Sequence, residues 1–210
     1  MKKKIKIAYL LDPSNVWIYK YLINSKLLKL KRTTNKIFKS PGKIKGYDLV
    51  FILNYTKILQ TNFLKKNNLN LVAHSSALPK GKGFSPLQWQ VLDNKNKIPI
   101  CLFKAEKYVD SGDIYEKDII YLRGDELYDE LREKQAQATF KIIAKFISKF
   151  PKNRSIKQSG KSTFYRRRRP IDGKLDINLS LKKNFLNLRI ANNDQSVSYT
   201  HLRAHETRGN

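Results

Sequence analysis

Short apolar runs alternate with stretches of helical spacing along the first 150 residues, and this alternation restricts the chain to a small set of layered architectures. Residues 4–11 read Lys-Ile-Lys-Ile-Ala-Tyr-Leu-Leu, a buried-strand pattern closed by Asp12-Pro13. Over 15–30 the apolar residues Val16, Ile18, Tyr19, Leu22 and Leu27 recur at intervals suited to a helix packed on a sheet. The same reading predicts a short strand at 34–40, a loop at 41–46, a strand at 47–53, a short helix at 58–66 and a strand at 69–74. Ser85-Pro86 has the character of an N-cap followed by a first-turn proline, opening a helix through Leu87, Trp89, Gln90, Val91 and Leu92. Strands near 98–105 and 117–122 flank the turn Val109-Asp110-Ser111-Gly112-Asp113. A long helix over about 125–150 follows, with Leu127, Leu131, Ala138, Ile142, Ala144 and Ile147 facing inward. The expected class is α/β, a mostly parallel sheet with helices on both faces and its active loops at the carboxyl ends of the strands.

Beyond Pro151 the composition shifts to Lys, Asn, Ser and Gly, which reads as a linker or hairpin loop up to Lys161. Residues 164–193 read as a small helical or extended appendage, so 151–195 is expected to be a linker with a partial C-terminal subdomain. The segment 196–210 breaks with the Lys/Ile/Asn bias and resembles translated sequencing-adapter sequence; it is set aside as a non-native tail, the appendage being expected to be truncated there.

The single cysteine, Cys101, excludes an intramolecular disulfide framework. Its apolar run Ile98-Pro99-Ile100-Cys101-Leu102-Phe103 predicts a buried, inert thiol. The N-terminal apolar stretch is too short for a signal core or a membrane span, so the expected location is cytoplasmic, with no membrane partner. A net charge of +26 would suit a polyanion, but lysines scattered among Ile and Asn reflect compositional bias, and nucleic acid is not the favoured partner. The one dense cluster, Arg166-Arg167-Arg168-Arg169, ranks first as a solvated linker and second as a contact for a nucleotide diphosphate or a tRNA backbone.

Of three histidines, His201 and His205 fall in the excluded tail, which leaves His74 at the end of the third central strand, beside a loop rich in Pro and Gly. An imidazole there can exchange protons near neutral pH. Taken singly, a strand-end histidine is more often a satisfied packing residue, and Asp110 and Asp113 in a Ser-Gly turn are more often turn carboxylates. Trp89 and Gln90 read as a helix that anchors the loop.

His74-Ser75-Ser76-Ala77-Leu78-Pro79 resembles the His-x-Ser-x-Leu-Pro signature of the formyltransferases that use N10-formyltetrahydrofolate. Asp110 follows 36 residues later, at the family's separation, in Val109-Asp110-Ser111-Gly112-Asp113-Ile114, which is similar to the family's Asp-x-Gly-x-Ile turn. The resemblance covers roughly residues 4–150, and its extension through Gly83-Phe84-Ser85-Pro86 to Gln90 resembles the branch that formylates nucleotide-linked amino sugars, of the pseudaminic acid type acting on a UDP-linked 4-amino-4,6-dideoxy sugar. Phe164 to Pro170 resembles the Arg-Pro segment that follows the catalytic domain there.

The resemblance implies a Rossmann-like formyltransferase fold over 1–150 and formyl transfer from N10-formyltetrahydrofolate to an amine. It implies His74 and Asp110 as the catalytic couple, His74 meeting the formyl oxygen and Asp110 orienting the ring and helping to remove a proton. Donor contacts are implied at Ser76, Leu78, Pro79, Gly81, Gly83 and Asp113, with no metal. The family's Asn two residues before the histidine is Val72 here, so Asn54 at the end of the preceding strand is expected to supply that amide, with Asn70 the other option. The expected partners are the folate donor and a nucleotide-linked amino sugar, a homodimer being open. Methionyl-tRNA formyltransferase, favoured by the basic charge, and a non-catalytic basic RNA-binding relative are the alternatives.

Overall fold

The computed structural model describes residues 4–14 and 17–192. Six strands form one sheet: β1 (Ile5–Leu11), β2 (Thr33–Phe38), β3 (Leu49–Leu53), β4 (Leu69–His74), and beyond a two-residue β5 (Lys82–Gly83), β6 (Lys97–Lys104) and β7 (Ile114–Tyr121). Their order is β2-β1-β3-β4-β6-β7; the first four run parallel, β6 is antiparallel to β4, and β7 is antiparallel to β6.

The period-2 geometry of the central strands sorts their side chains between two faces. Ile7, Tyr9 and Leu11 of β1 with Leu49, Phe51 and Leu53 of β3 join the larger core, under α1 (Trp17–Ile23) and α4 (Tyr128–Lys149). Ala8, Leu10, Val50 and Ile52 face the opposite way, against Ile44 and Phe63 of the short α2 (Thr61–Leu64). Phe146 of α4 stands edge-on to both Phe51 and Tyr115, with ring centroids 6.3 and 5.3 Å apart, and so fixes the helix to the sheet. The helix α3 (Pro86–Leu92) adds Leu87 and Val91 to the same core.

Several expected boundaries move for local reasons. The helix expected over 15–30 ends at Ile23 and gives way to a 3-10 turn at Lys26–Lys29, because the Ser25 amide and hydroxyl both donate to the Leu22 carbonyl and take the acceptor that a further turn would use. Helix 58–66 contracts to α2. The last strand begins at Ile114 rather than 117, since Ile114 pairs with Phe103 and with Ile156. Leu127 is 51% exposed instead of inward: it precedes α4, and its backbone N–H donates to the Glu130 carboxylate. Ser85 does not cap α3 with its side chain, because its backbone is left-handed (φ 50°); Pro86 still occupies the first turn.

The stretch after Pro151 is no free linker. Ile156 makes a β-bridge with Ile114, and the strand β8 (Phe164–Tyr165) pairs in parallel with β5. The final helix α5 (Leu181–Arg189) carries Ile190 into the larger core and Arg189 into full burial. Arg189 donates to the Glu126 carboxylate at 3.1 Å and to its backbone carbonyl at 3.2 Å. Burial alone would raise the Glu126 pKa, but hydrogen bonds from the Arg123 and Gly124 amides and the nearby Lys134 ammonium bring it down to about 2. The expected appendage therefore straps back onto the sheet, while the adapter-like segment lies outside the described residues. Among the described residues, no helix is long and apolar enough to cross a membrane.

Candidate active site

β1 and β3 are neighbours in space although β2 lies between them in sequence, so the chain leaves β1 toward one edge and returns on its other side. The crevice at such a switch point is where open α/β sheets take ligands. Here it opens into a cavity of about 370 Å³. It is lined by Leu53, Asn54, Ile58, Val72 and Phe103, by Trp17, Gln88, Arg132 and Gln135, and by His74, Gly83 and Asp110.

His74 ends β4 with 9% of its surface exposed, its ring edge-on to Phe103. Its Nε2 lies 2.8 Å from the Gly81 carbonyl oxygen, which can only accept, so this nitrogen carries the proton. The same nitrogen is 3.7 Å from Asp110 Oδ2, an ion-pair distance rather than a hydrogen bond. Asp110 Oδ2 accepts from the Gly83 amide at 2.8 Å.

Backbone strain holds this arrangement. Asp110 has a left-handed backbone (φ 48°), which the Gln158 amide secures by donating to the carbonyls of Asp110 (2.9 Å) and Gly112 (2.8 Å). Gly83 also has positive φ (94°) and lies directly against the Tyr165 carbonyl, so a side chain there would strike backbone. Gln90 donates to the Ser75 carbonyl at 2.7 Å, and the Trp89 indole N–H donates to the Arg166 carbonyl while its ring stacks on Tyr165. Gln90 thus anchors the loop after His74, whereas Trp89 holds the later segment at Tyr165 and Arg166.

The structure brings together His74, Asp110, Asn54 and Gly83 and sends other expected site residues elsewhere. Asn54 ends β3 in a left-handed conformation (φ 55°) on the cavity wall, as does Val72 on β4, whereas Asn70 turns away and donates to the Leu64 carbonyl at 2.8 Å. Ser76 and Leu78 line a second hollow with Cys101 and Lys117 and are outside the lining of the first. Pro79 follows a cis peptide outside the cavity lining, and Gly81 reaches the site only through its carbonyl. Asp113 accepts from the Ser155 hydroxyl at 3.3 Å and does not line the cavity. Cys101 is 1% exposed, and burial pushes its thiol up to about 12, matching the expected inert role. Arg166 and Arg167 are exposed, as a solvated segment would have them, but they are not free linker residues: they stack on Trp89 and Phe84, and Arg166 pairs with Asp172.

Arg132, Gln135 and Thr139 went unnoticed as site residues, although their spacing puts three polar side chains on one face of a long helix that otherwise buries apolar ones. Asp12 was also missed. It is fully buried at the end of β1, accepting from the Ser14 amide (2.9 Å) and hydroxyl (2.6 Å) and from the Thr56 amide (2.9 Å) and hydroxyl. Burial would raise its pKa, but these bonds together outweigh it and hold the carboxyl well below the usual range, tying β1 to the wall that carries Asn54. A depressed folded-state pKa contributes stability that is present above the unfolded value, about pH 4, and is lost as pH falls toward the folded one. Asp12→Asn should therefore cost on the order of 2 kcal/mol at pH 6. In urea melts at descending pH the gap between variant and wild type should close below about pH 4; a constant gap would refute it.

Fold and site together define an α/β protein that takes its ligand at a switch point, beside an imidazole and a carboxylate. The formyl transferase family model matches residues 12–147, and the chain belongs to that family. It is 28% identical over 149 residues to a methionyl-tRNA formyltransferase of Sulfurihydrogenibium sp. (strain YO3AOP1), covering 68% of this chain and 47% of the relative. The chain thus spans less than half the length of that relative. Among solved structures it resembles the methionyl-tRNA formyltransferase from Clostridium thermocellum (TM-score 0.75, 18% identity, 92% of this chain and 85% of the other). It also resembles the formyltransferase PseJ from Anoxybacillus kamchatkensis, determined in complex with UDP-4,6-dideoxy-4-formamido-L-AltNAc and tetrahydrofolate (TM-score 0.58, 17% identity, 77% and 85% coverage).

Proposed function

We propose that this protein transfers a formyl group from N10-formyltetrahydrofolate to the amino group of a nucleotide-linked amino sugar. The observation that carries the reading is the meeting of His74 and Asp110, distant in sequence, 3.7 Å apart in a cavity with the Gly83 amide between them in the loop. The apolar wall of Leu53, Ile58, Val72 and Phe103 suits a flat heteroaromatic ring, which fits the folate donor. When bound, that donor supplies an activated formyl group. His74 presents its Nε2 proton, which can turn from the Gly81 carbonyl to an oxygen gaining negative charge at the formyl carbon. Asp110, held by the Gly83 amide, accepts the proton released as the amine forms its new bond to carbon; that proton passes to N10 as the bond between the formyl carbon and N10 breaks, and tetrahydrofolate leaves. This reading assigns the second donor to that oxygen to Asn54, which lines the same cavity, in place of the Asn absent at Val72.

The sugar acceptor is supported by the Gly83-Phe84-Ser85-Pro86 extension and by the ligands that the PseJ structure holds. The identity to methionyl-tRNA formyltransferases favours a second reading, in which the acceptor is the amino group of methionyl-tRNA. The full chain should be incubated with N10-formyltetrahydrofolate and either UDP-linked 4-amino sugars or methionyl-tRNA. A sugar product heavier by one formyl group is expected; product only on the tRNA would transfer the assignment, and none with any amine would end the catalytic reading.

A further inference from the structure

Arg132 reaches the cavity from α4, its guanidinium 4.6 Å from the Trp17 ring centroid and 4.9 Å from that of Tyr128. Its fork is spent on neutral groups: Nη1 donates to Gln135 Oε1 at 2.9 Å, and Gln88, with its amide oriented to accept, takes Nη1 and Nη2 at 2.9 and 2.6 Å. Its Nε has no hydrogen-bond partner. Among the described residues no carboxylate forms an ion pair with it. Arg168, half-buried, also has an unpartnered Nε, and its charge and that of Arg132 repel. Desolvation lowers the pKa of both guanidiniums; Arg168 has the Asp172 carboxylate nearby as a partial counter-charge, whereas Arg132 has no carboxylate partner among the described residues.

A guanidinium held away from water without a carboxylate costs the fold free energy, since buried charges are normally paired. The arrangement makes sense when something negative completes it. A guanidinium suits phosphoryl oxygens, which carry charge and accept N–H bonds. The position agrees. Gln135 accepts from Arg132 and donates to Ser75 Oγ at 2.9 Å, so two hydrogen bonds connect the cation to the residue after His74. Trp17, Gln88, Arg132 and Gln135 line the same cavity as His74 and Asp110.

We propose that Arg132 binds the diphosphate of a nucleoside diphosphate-linked acceptor, so that the attached sugar extends toward His74. The proposal rests on the sugar-formylating reading only for the sugar; the anion site itself stands on a cavity-lining guanidinium with an unpartnered Nε and no carboxylate partner among the described residues. UDP, inorganic pyrophosphate and uridine should be titrated calorimetrically into the full chain without folate, with wild type, Arg132→Gln and Arg132→Lys. UDP and pyrophosphate are expected to bind and uridine to bind far more weakly. Arg132→Gln should weaken UDP at least tenfold, and Arg132→Lys, which keeps the charge without the fork, should lie between. Thermal melting checks the fold: UDP should raise the melting temperature of wild type and leave that of Arg132→Gln almost unmoved. UDP affinity unchanged in Arg132→Gln, or uridine binding as well as UDP, overturns the proposal. Retained UDP affinity with lost binding of an RNA ending in CCA overturns it in favour of a tRNA acceptor. If UDP binding depends on Arg132 while no amine is formylated, the anion site stands and the catalytic reading alone falls.

Discussion

His74→Asn is expected to lower kcat for formyl transfer by roughly 10²- to 10⁴-fold, the range that positioned acid–base groups contribute. Substrate KM should change little. The asymmetry follows from geometry: the ring is buried against Phe103, and its only polar offering to the cavity is the Nε2 proton now given to Gly81. That proton matters once an oxyanion forms and adds little to ground-state binding. Asp110→Asn keeps the shape and the acceptor for the Gly83 amide but loses the basic oxygen, so it should fall in the same range. Because the two groups act on one transfer, the double variant should be scarcely slower than either single one. Wild-type turnover in either single variant, measured as formylated product in steady state, would remove the pair from the mechanism.

Arg189→Met should destabilise the protein by about 3–5 kcal/mol, the usual cost of breaking a buried ion pair from one side. Glu126 would stay fully buried, with Lys134 at 3.3 Å as its remaining charged partner. Against a total stability of about 5–15 kcal/mol this is a large share. The loss should appear as a lower urea midpoint and as early proteolysis within 151–180 once α5 undocks. Pairing Arg189→Met with Glu126→Gln should recover part of the loss by removing the stranded charge. A single variant as stable as wild type would mean that Ile190 packing alone holds the strap.

The central strands were legible because their side chains are apolar without interruption, as strands buried on both faces must be. β4 falls on its expected residues 69–74. Helix ends were harder to read. The break after Ile23 depends on one serine capturing one carbonyl, and the left-handed Ser85 defeats an otherwise regular capping signal. His74 and Asp110 could be paired because both stand at positions fixed by short motifs. Arg132, Gln135 and Asp12 belong to no such motif, and their importance comes from what faces them.

The sequence by itself determined the alternation of strands and helices, the inert Cys101 and the two motifs holding His74 and Asp110, since each depends on local periodicity or on spacing along the chain. Only the tertiary structure decided that residues 151–190 strap back onto the domain, that Ser76, Leu78 and Asp113 fall outside the cavity lining, and that the Arg132 guanidinium lines the cavity with an unpartnered Nε. Those facts arise from contacts between segments far apart in sequence, where burial, rather than residue type, sets what a charged or polar group must find.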